Sequence, residues 1–134
     1  MSDKKKELEE GTTLDINFEK RGGLVPGVAQ DIRDGSILML GYVNQQALET
    51  TLRLGMATFW STSRNELWTK GATSGDYLKL VKILVDCDQD ALVYVVEPQG
   101  SGACHTKDPK SGSARKSCFY RRVNLQTKAL EQEN

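Results

Sequence analysis

Three aspartates, Asp86, Asp88 and Asp90, stand at every second position of the string DCDQDAL. On an extended segment such spacing projects all three carboxylates from one face. Like charges that close repel, and the repulsion is relieved by solvent or by a hard divalent cation held through oxygen ligands, such as Mg²⁺. An acidic turn is the plain alternative, but the apolar runs on both sides favour the metal. A calcium-binding helix-loop-helix reading fails, because the sixth loop position, which needs glycine for its sharp turn, is Ala91 and the flanks YLKLVKIL and ALVYVV are strand-like.

Cysteine supplies the second set. Cys87 sits between the first two aspartates and, on a strand, faces away from them, so it is expected to serve a different site. Cys104 and Cys118 flank a long polar stretch, and the single histidine, His105, follows Cys104 directly in ACHT. Three thiolates suffice for a catalytic Zn²⁺ that keeps a fourth position for water, although no C-x-x-C clip is present and three buried free thiols are the plainer reading. His105 is the one side chain whose ordinary titration falls near neutral pH, which suits proton transfer.

The elements that must position these residues read as mostly β. LVPGVAQDI and SILMLGYV flank Asp34-Gly35, a dipeptide suited to a tight hairpin turn. Asn44 can cap a helix over QQALETTLRL, which Gly55 stops. MATFWST and LWTK follow as two strands, with Trp60 read as core, and Gly71 to Gly75 as a loop. YLKLVKILVDCDQDALVYVVE, apolar on both faces, is expected to lie centrally in the sheet. Residues 100–117 read as a long loop, CFYRRV as a last strand and NLQTKALEQEN as a frayed helix. Residues 1–13, charged and nearly free of large apolar side chains, read as a flexible tail, leaving 14–134 as the domain.

Composition narrows the function classes. With 134 residues, 38% of them hydrophobic, the chain can build one core without disulfide staples. Its 18 basic and 18 acidic residues cancel, which argues against non-specific binding to a nucleic-acid backbone. The N-terminus lacks an apolar signal region, and the longest apolar run, Ala91 to Val96, is far too short to span a bilayer, so no membrane association and a cytoplasmic location are expected. An odd number of cysteines suits a reducing compartment.

The strings LVPGVAQD, GSILMLGYVN, FWSTSRNELWTKGATSG, DCDQDAL, ACHT and SCFYRR, in that order, closely resemble phosphoribosyl-AMP cyclohydrolase, a ring-opening enzyme of histidine biosynthesis, from about Leu24 to Val123. The resemblance implies a β-rich pseudobarrel with a few capping helices, a single domain that works as a homodimer with zinc at the subunit interface. It assigns Cys87, Cys104 and Cys118 to one zinc per subunit, Cys87 coming from one subunit and the other two from its partner. Asp86, Asp88 and Asp90 become magnesium ligands, and in such a reaction His105 is the candidate to shuttle a proton. The implied reaction is hydrolysis of the N1–C6 bond of the adenine ring by zinc-activated water.

For the two substrate phosphates the cationic and backbone donors Arg64, Lys70, Thr73, Ser74 and Gly75 are the candidates. Two departures from the family pattern stand out. Lys107 and the longer link KDPKSGSARK follow ACHT in place of Gly and a short link, and Asp76 follows TSG where His is common. A fused pyrophosphohydrolase activity is not expected. Of the other classes, a zinc deaminase requires H-x-E and P-C-x-x-C, and neither occurs. A non-catalytic zinc-binding module fits the bare composition; it would hold zinc without turnover.

Overall fold

A computed structural model of the chain describes residues 3–133. Residues 1, 2 and 134, at the ends of the expected tail and domain, lie outside them. The elements, in order, are helix α1 (Asp3–Glu10), strands β1 (Val25–Asp31) and β2 (Ile37–Val43), and helix α2 (Gln45–Leu54). Strands β3 (Thr58–Ser61), β4 (Glu66–Thr69), β5 (Leu78–Val85), β6 (Leu92–Pro98), β7 (Arg121–Val123) and β8 (Leu130–Gln132) follow. The charged stretch expected as a tail thus contains a helix, α1, exposed but for half-buried Leu8.

Six strands form one sheet in the order β4-β3-β2-β1-β6-β5, antiparallel except for the parallel pairing of its fourth and fifth strands, β1 and β6. Asp34-Gly35 closes the β1–β2 hairpin as read from the sequence, with Gly35 at a φ of +76°. The Asn44 side chain accepts the Ala47 N–H at 2.8 Å, and Gly55, in the left-handed region, ends α2. Residues 55–57 then touch both edges of the sheet. Leu80 N–H donates to Gly55 O and Ala57 N–H to Leu78 O on the β5 side, while Lys70 N–H donates to Ala57 O beyond β4. The sheet therefore curls toward a half-barrel whose two edges are linked at one end.

Helix α2 lies across one face through Ala47, Leu48 and Thr51, over a core that includes Val25, Ala29, Leu38, Val43, Phe59, Tyr94 and Val96. Buried Thr51 is the polar joint of this layer. Its hydroxyl donates to Ala47 O at 2.8 Å, accepts the Thr58 N–H at 2.9 Å and lies 3.2 Å from the Tyr94 hydroxyl, so no buried polar atom there goes unpaired. The opposite face carries an apolar row across four strands, Leu40↔Val28↔Val93↔Leu84, in which Leu40 and Leu84 are almost half exposed.

Four expectations change. β5 is an edge strand with Val81, Leu84 and Val85 exposed, so only β6 of the long apolar stretch lies inside the sheet. Trp60 is half-buried and pairs with exposed Tyr42 on the outer face, while Trp68 packs against the core beside Phe59. CFYRRV is strand only from Arg121. The segment read as a helix after it supplies β8 instead, because Asn124 Oδ1 accepts the N–H groups of Gln126 and Thr127 and Lys128 takes a φ of +63°, folding the chain back onto β7.

Candidate metal centres

The aspartate segment is a turn, which corrects the extended reading. Asp86 Oδ1 accepts the N–H groups of Asp90 at 2.9 Å and Ala91 at 3.1 Å, and Gln89 takes a φ of +54°, an uncommon conformation for a side-chain-bearing residue. The turn still gathers the carboxylates: one oxygen from each of Asp86, Asp88 and Asp90 lies within 4.8 Å of the others. Among the described residues this is the one group of three or more His, Cys, Asp or Glu ligands placed to hold a metal. An all-oxygen carboxylate set at that spacing suits a hard divalent cation.

Protein cations face the cluster. Lys20 Nζ lies 2.6 Å from Asp90 Oδ2 and 3.3 Å from Asp88 Oδ2, and the Arg21 guanidinium 3.5 Å from Asp90 Oδ2. The hydrogen bond from Lys20 holds the Asp90 carboxyl well below the usual carboxylate range, while partial burial pushes Asp86 up. Gln89, buried in the turn, ties the N-terminal segment down: its amide donates to Leu8 O and Thr13 O and accepts from Asp15 N–H. Nothing in the local sequence signals Lys20 or Gln89, since their partners are 68 to 81 residues away.

Cys87 is exposed in the same turn, so strand alternation does not separate it from the carboxylates as expected. Cys104 and Cys118 come together elsewhere. β6, about 20 Å long at the usual rise per residue, runs between Cys87 before its start and Cys104 beyond its end. The inserted link forms a small clip. Lys107 bridges Ala114, Arg115 N–H donates to Thr106 O, Cys104 N–H to Arg115 O at 3.0 Å and Ala103 N–H to Lys116 O at 3.1 Å. Cys118 N–H donates to Leu38 O of β2 at 2.7 Å, and Ser117 Oγ donates to Ile37 O, which seats the second cysteine on the sheet.

The two thiols differ in environment. Burial alone would push the Cys104 thiol up, but the Thr106 hydroxyl at 2.9 Å, the Thr106 N–H, neighbouring Cys118 and the Arg115 charge outweigh it and hold the thiol below its ordinary value. Desolvation of its sulfur, and then the charge on Cys104, pushes Cys118 up to about 11. The surroundings therefore favour the thiolate at Cys104 and disfavour it at Cys118. Arg115 donates to the Thr106 hydroxyl at 3.1 Å and lies 4.1 Å over the Tyr120 ring. His105, next to buried Cys104, is exposed.

Buried Asp31 anchors the clip from below. Arg33 donates to it from Nε and an Nη at 3.1 and 2.9 Å, Lys116 Nζ lies 3.6 Å away, and Lys116 also pairs with Asp34. Of the residues expected at the phosphates, Lys70 is buried after β4, with its charge felt at Cys118 and its Nζ 3.5 Å from Asp76 O. Thr73, Ser74 and Gly75 form the exposed loop beside it, where Ser74 Oγ accepts the Asp76 N–H. Arg64 stands at the opposite end of β4, exposed and 3.6 Å from Glu66. Asp76, the position that departs from the family pattern, accepts the Ser101 N–H at 2.9 Å and so fixes the entry to the clip.

Fold and site define a small β-sheet domain with an acidic cluster placed to hold a metal and, apart from it, a pair of neighbouring thiols. The model of the family phosphoribosyl-AMP cyclohydrolase matches residues 39–120, which span β2 to the end of the clip. A phosphoribosyl-AMP cyclohydrolase from Desulfatibacillum aliphaticivorans is 47% identical over 110 residues, covering 82% of each chain. One from Cenarchaeum symbiosum is 48% identical over 106 residues, 79% of this chain and 91% of that one. A histidine biosynthesis bifunctional protein from Prochlorococcus marinus is 46% identical over 110 residues, 82% of this chain and 46% of its own length. The chain belongs to the phosphoribosyl-AMP cyclohydrolase family.

Proposed function

We propose that this chain opens the adenine ring of phosphoribosyl-AMP by hydrolysis between N1 and C6, in histidine biosynthesis in the cytoplasm. The observation that carries the reading is the Cys104–Cys118 pair, built by the clip beside exposed His105, in a chain of this family. Two thiols are one ligand short of a catalytic zinc site. Cys87, at the far end of β6, reaches such a pair only from a second copy, so the working unit is a homodimer with one zinc per subunit held by Cys87 of one chain and Cys104 and Cys118 of the other. The apolar row Leu40, Val28, Val93 and Leu84, exposed at its two ends, supports a second copy packing on the outer face of the sheet.

When bound, zinc supplies an acidified water for attack on the ring. The chain's own residues do the rest. His105 moves a proton, taking it from the attacking water or delivering it to N1 as the C–N bond breaks. Cys104, held by Thr106 and Arg115, offers its thiolate at a fixed point. Lys70 and the Thr73-Ser74-Gly75 loop bind one phosphate and Arg64 the other; their places at opposite ends of β4 suit a substrate with two well-separated phosphates. Asp86, Asp88 and Asp90 would hold Mg²⁺, which would supply positive charge toward an anionic substrate.

The test is zinc content per chain of the purified protein, with an ultraviolet assay of phosphoribosyl-AMP ring opening before and after chelation. One zinc per chain and chelator-sensitive turnover are expected; bound zinc without turnover would support a non-catalytic zinc-binding module instead. His105→Ala should keep the zinc and lose rate, and Cys104→Ser should lose both.

A further inference from the structure

The aspartate turn already faces a cation of the chain's own. Lys20 Nζ sits 2.6 Å from Asp90 Oδ2 and 3.3 Å from Asp88 Oδ2, bridging two of the three carboxylates. Its delivery is structured. Lys20 lies in a short 3-10 turn, Glu19–Arg21, in which the Lys20 N–H donates to Asn17 Oδ1 at 3.1 Å, and the N–H of Gly22, which caps the turn, donates to Glu19 O at 3.2 Å. Asn17 N–H in turn donates to Gln89 O at 2.8 Å, inside the aspartate turn itself. Gly22 and Gly23, both at positive φ, then redirect the chain into β1, a path that side-chain-bearing residues would strain.

A divalent ion of the magnesium kind needs its oxygens at about 2.0–2.1 Å and repels a neighbouring ammonium. It cannot take Asp88 and Asp90 while Lys20 spans them. The lysine side chain is 46% exposed, so it has room to swing into water, whereas the Asp90 side chain is only 7% exposed and cannot move out to meet an ion. Without metal, three clustered carboxylates would repel; with Lys20 in place the turn keeps its shape.

We propose that Lys20 is an internal counter-ion of the aspartate turn, displaced when a divalent cation binds, and that this exchange sets the cation affinity of the site. The inference rests on the reading that Asp86, Asp88 and Asp90 hold such a cation. A site open only for the fraction of time that Lys20 is away shows an apparent dissociation constant raised by the inverse of that fraction. Removing the ammonium while keeping the aliphatic stem should then tighten binding by about tenfold or more, and an arginine, which keeps the competing charge, should not.

The experiment is a titration of the full-length protein with Mn²⁺, free ion being read by electron paramagnetic resonance, for the wild type, Lys20→Met, Lys20→Arg and Asp88→Asn, with circular dichroism confirming the fold of each. Tighter binding by Lys20→Met, with Lys20→Arg near wild type and Asp88→Asn weakened, is the expected pattern. Equal or weaker binding by Lys20→Met, while Asp88→Asn still weakens it, would overturn the role of Lys20 and leave the metal reading standing. Absence of saturable binding in every variant would overturn both.

Discussion

Gly102 is where the clip is most easily broken without touching a ligand. A methyl group added there would lie 2.5 Å from Ala114 O and closer still to Arg115 O, both of them backbone atoms that cannot rotate aside. Ordinary contact begins near 3.4 Å, so residues 114–115 must retreat by about 1 Å, enough to lengthen the neighbouring bonds Cys104 N–H to Arg115 O and Ala103 N–H to Lys116 O beyond useful range. Each contributes about 0.5–1.5 kcal/mol, so Gly102→Ala should loosen the Cys104–Cys118 pairing by about 1–3 kcal/mol. If the pairing is the chain's contribution to the zinc site, zinc affinity falls by about five- to 150-fold. A competition titration against a chromophoric chelator reads that change, while the far-ultraviolet dichroism of the sheet stays the same. Wild-type zinc affinity in Gly102→Ala would refute the claim that the clip holds the two cysteines.

Other substitutions probe separate joints. Asp31→Asn removes a buried carboxylate whose charge is held by Arg33 and Lys116, and should cost about 2–3 kcal/mol at pH 7 in urea unfolding. Because the folded Asp31 carboxyl lies below its ordinary value, chiefly through the Arg33 hydrogen bond, that stability is present above about pH 4 and is lost as pH falls further; the deficit of the variant should shrink in acid. A deficit independent of pH would refute the ion-pair account. Asn44→Ala should lower stability by about 1 kcal/mol through loss of the cap on α2, with zinc content unchanged in metal analysis. Thr106→Val removes the hydroxyl between Arg115 and Cys104, so the pH at which Cys104 reacts with a thiol reagent in the metal-free protein should rise; an unchanged profile would count against this support.

Local signals carried much of this architecture into view. Asp34-Gly35 marks its hairpin and Asn44 with Gly55 brackets α2, because turn and cap chemistry act within four residues. Edge or centre is another matter. β5 and β6 are equally apolar in sequence, and only the parallel pairing of β6 with β1 leaves β5 outside. KALEQE has helical propensity, yet Asn124 turns it back onto β7, a tertiary override of a weak local preference. The site shows the same division. The three aspartates are legible by type and spacing, but they gather through a turn at Gln89 rather than by strand alternation, whereas the spacing of the three cysteines does not mark a site and only the family resemblance joins them. Lys20 and Arg115 went unread because each acts on a residue that only folding brings near; Lys116 likewise meets Asp34 across 82 positions.

Complementation between inactive subunits tests the shared site most directly. Cys87→Ser and Cys104→Ser chains, each purified alone, should bind little zinc and turn over little phosphoribosyl-AMP. When the two are unfolded together and refolded as an equal mixture, every mixed dimer regains one intact site, with Cys87 from one chain and Cys104 and Cys118 from the other. Random pairing in a two-fold dimer then restores about a quarter of the wild-type zinc and activity. A mixture as inactive and zinc-poor as its parents would contradict a site built from two chains.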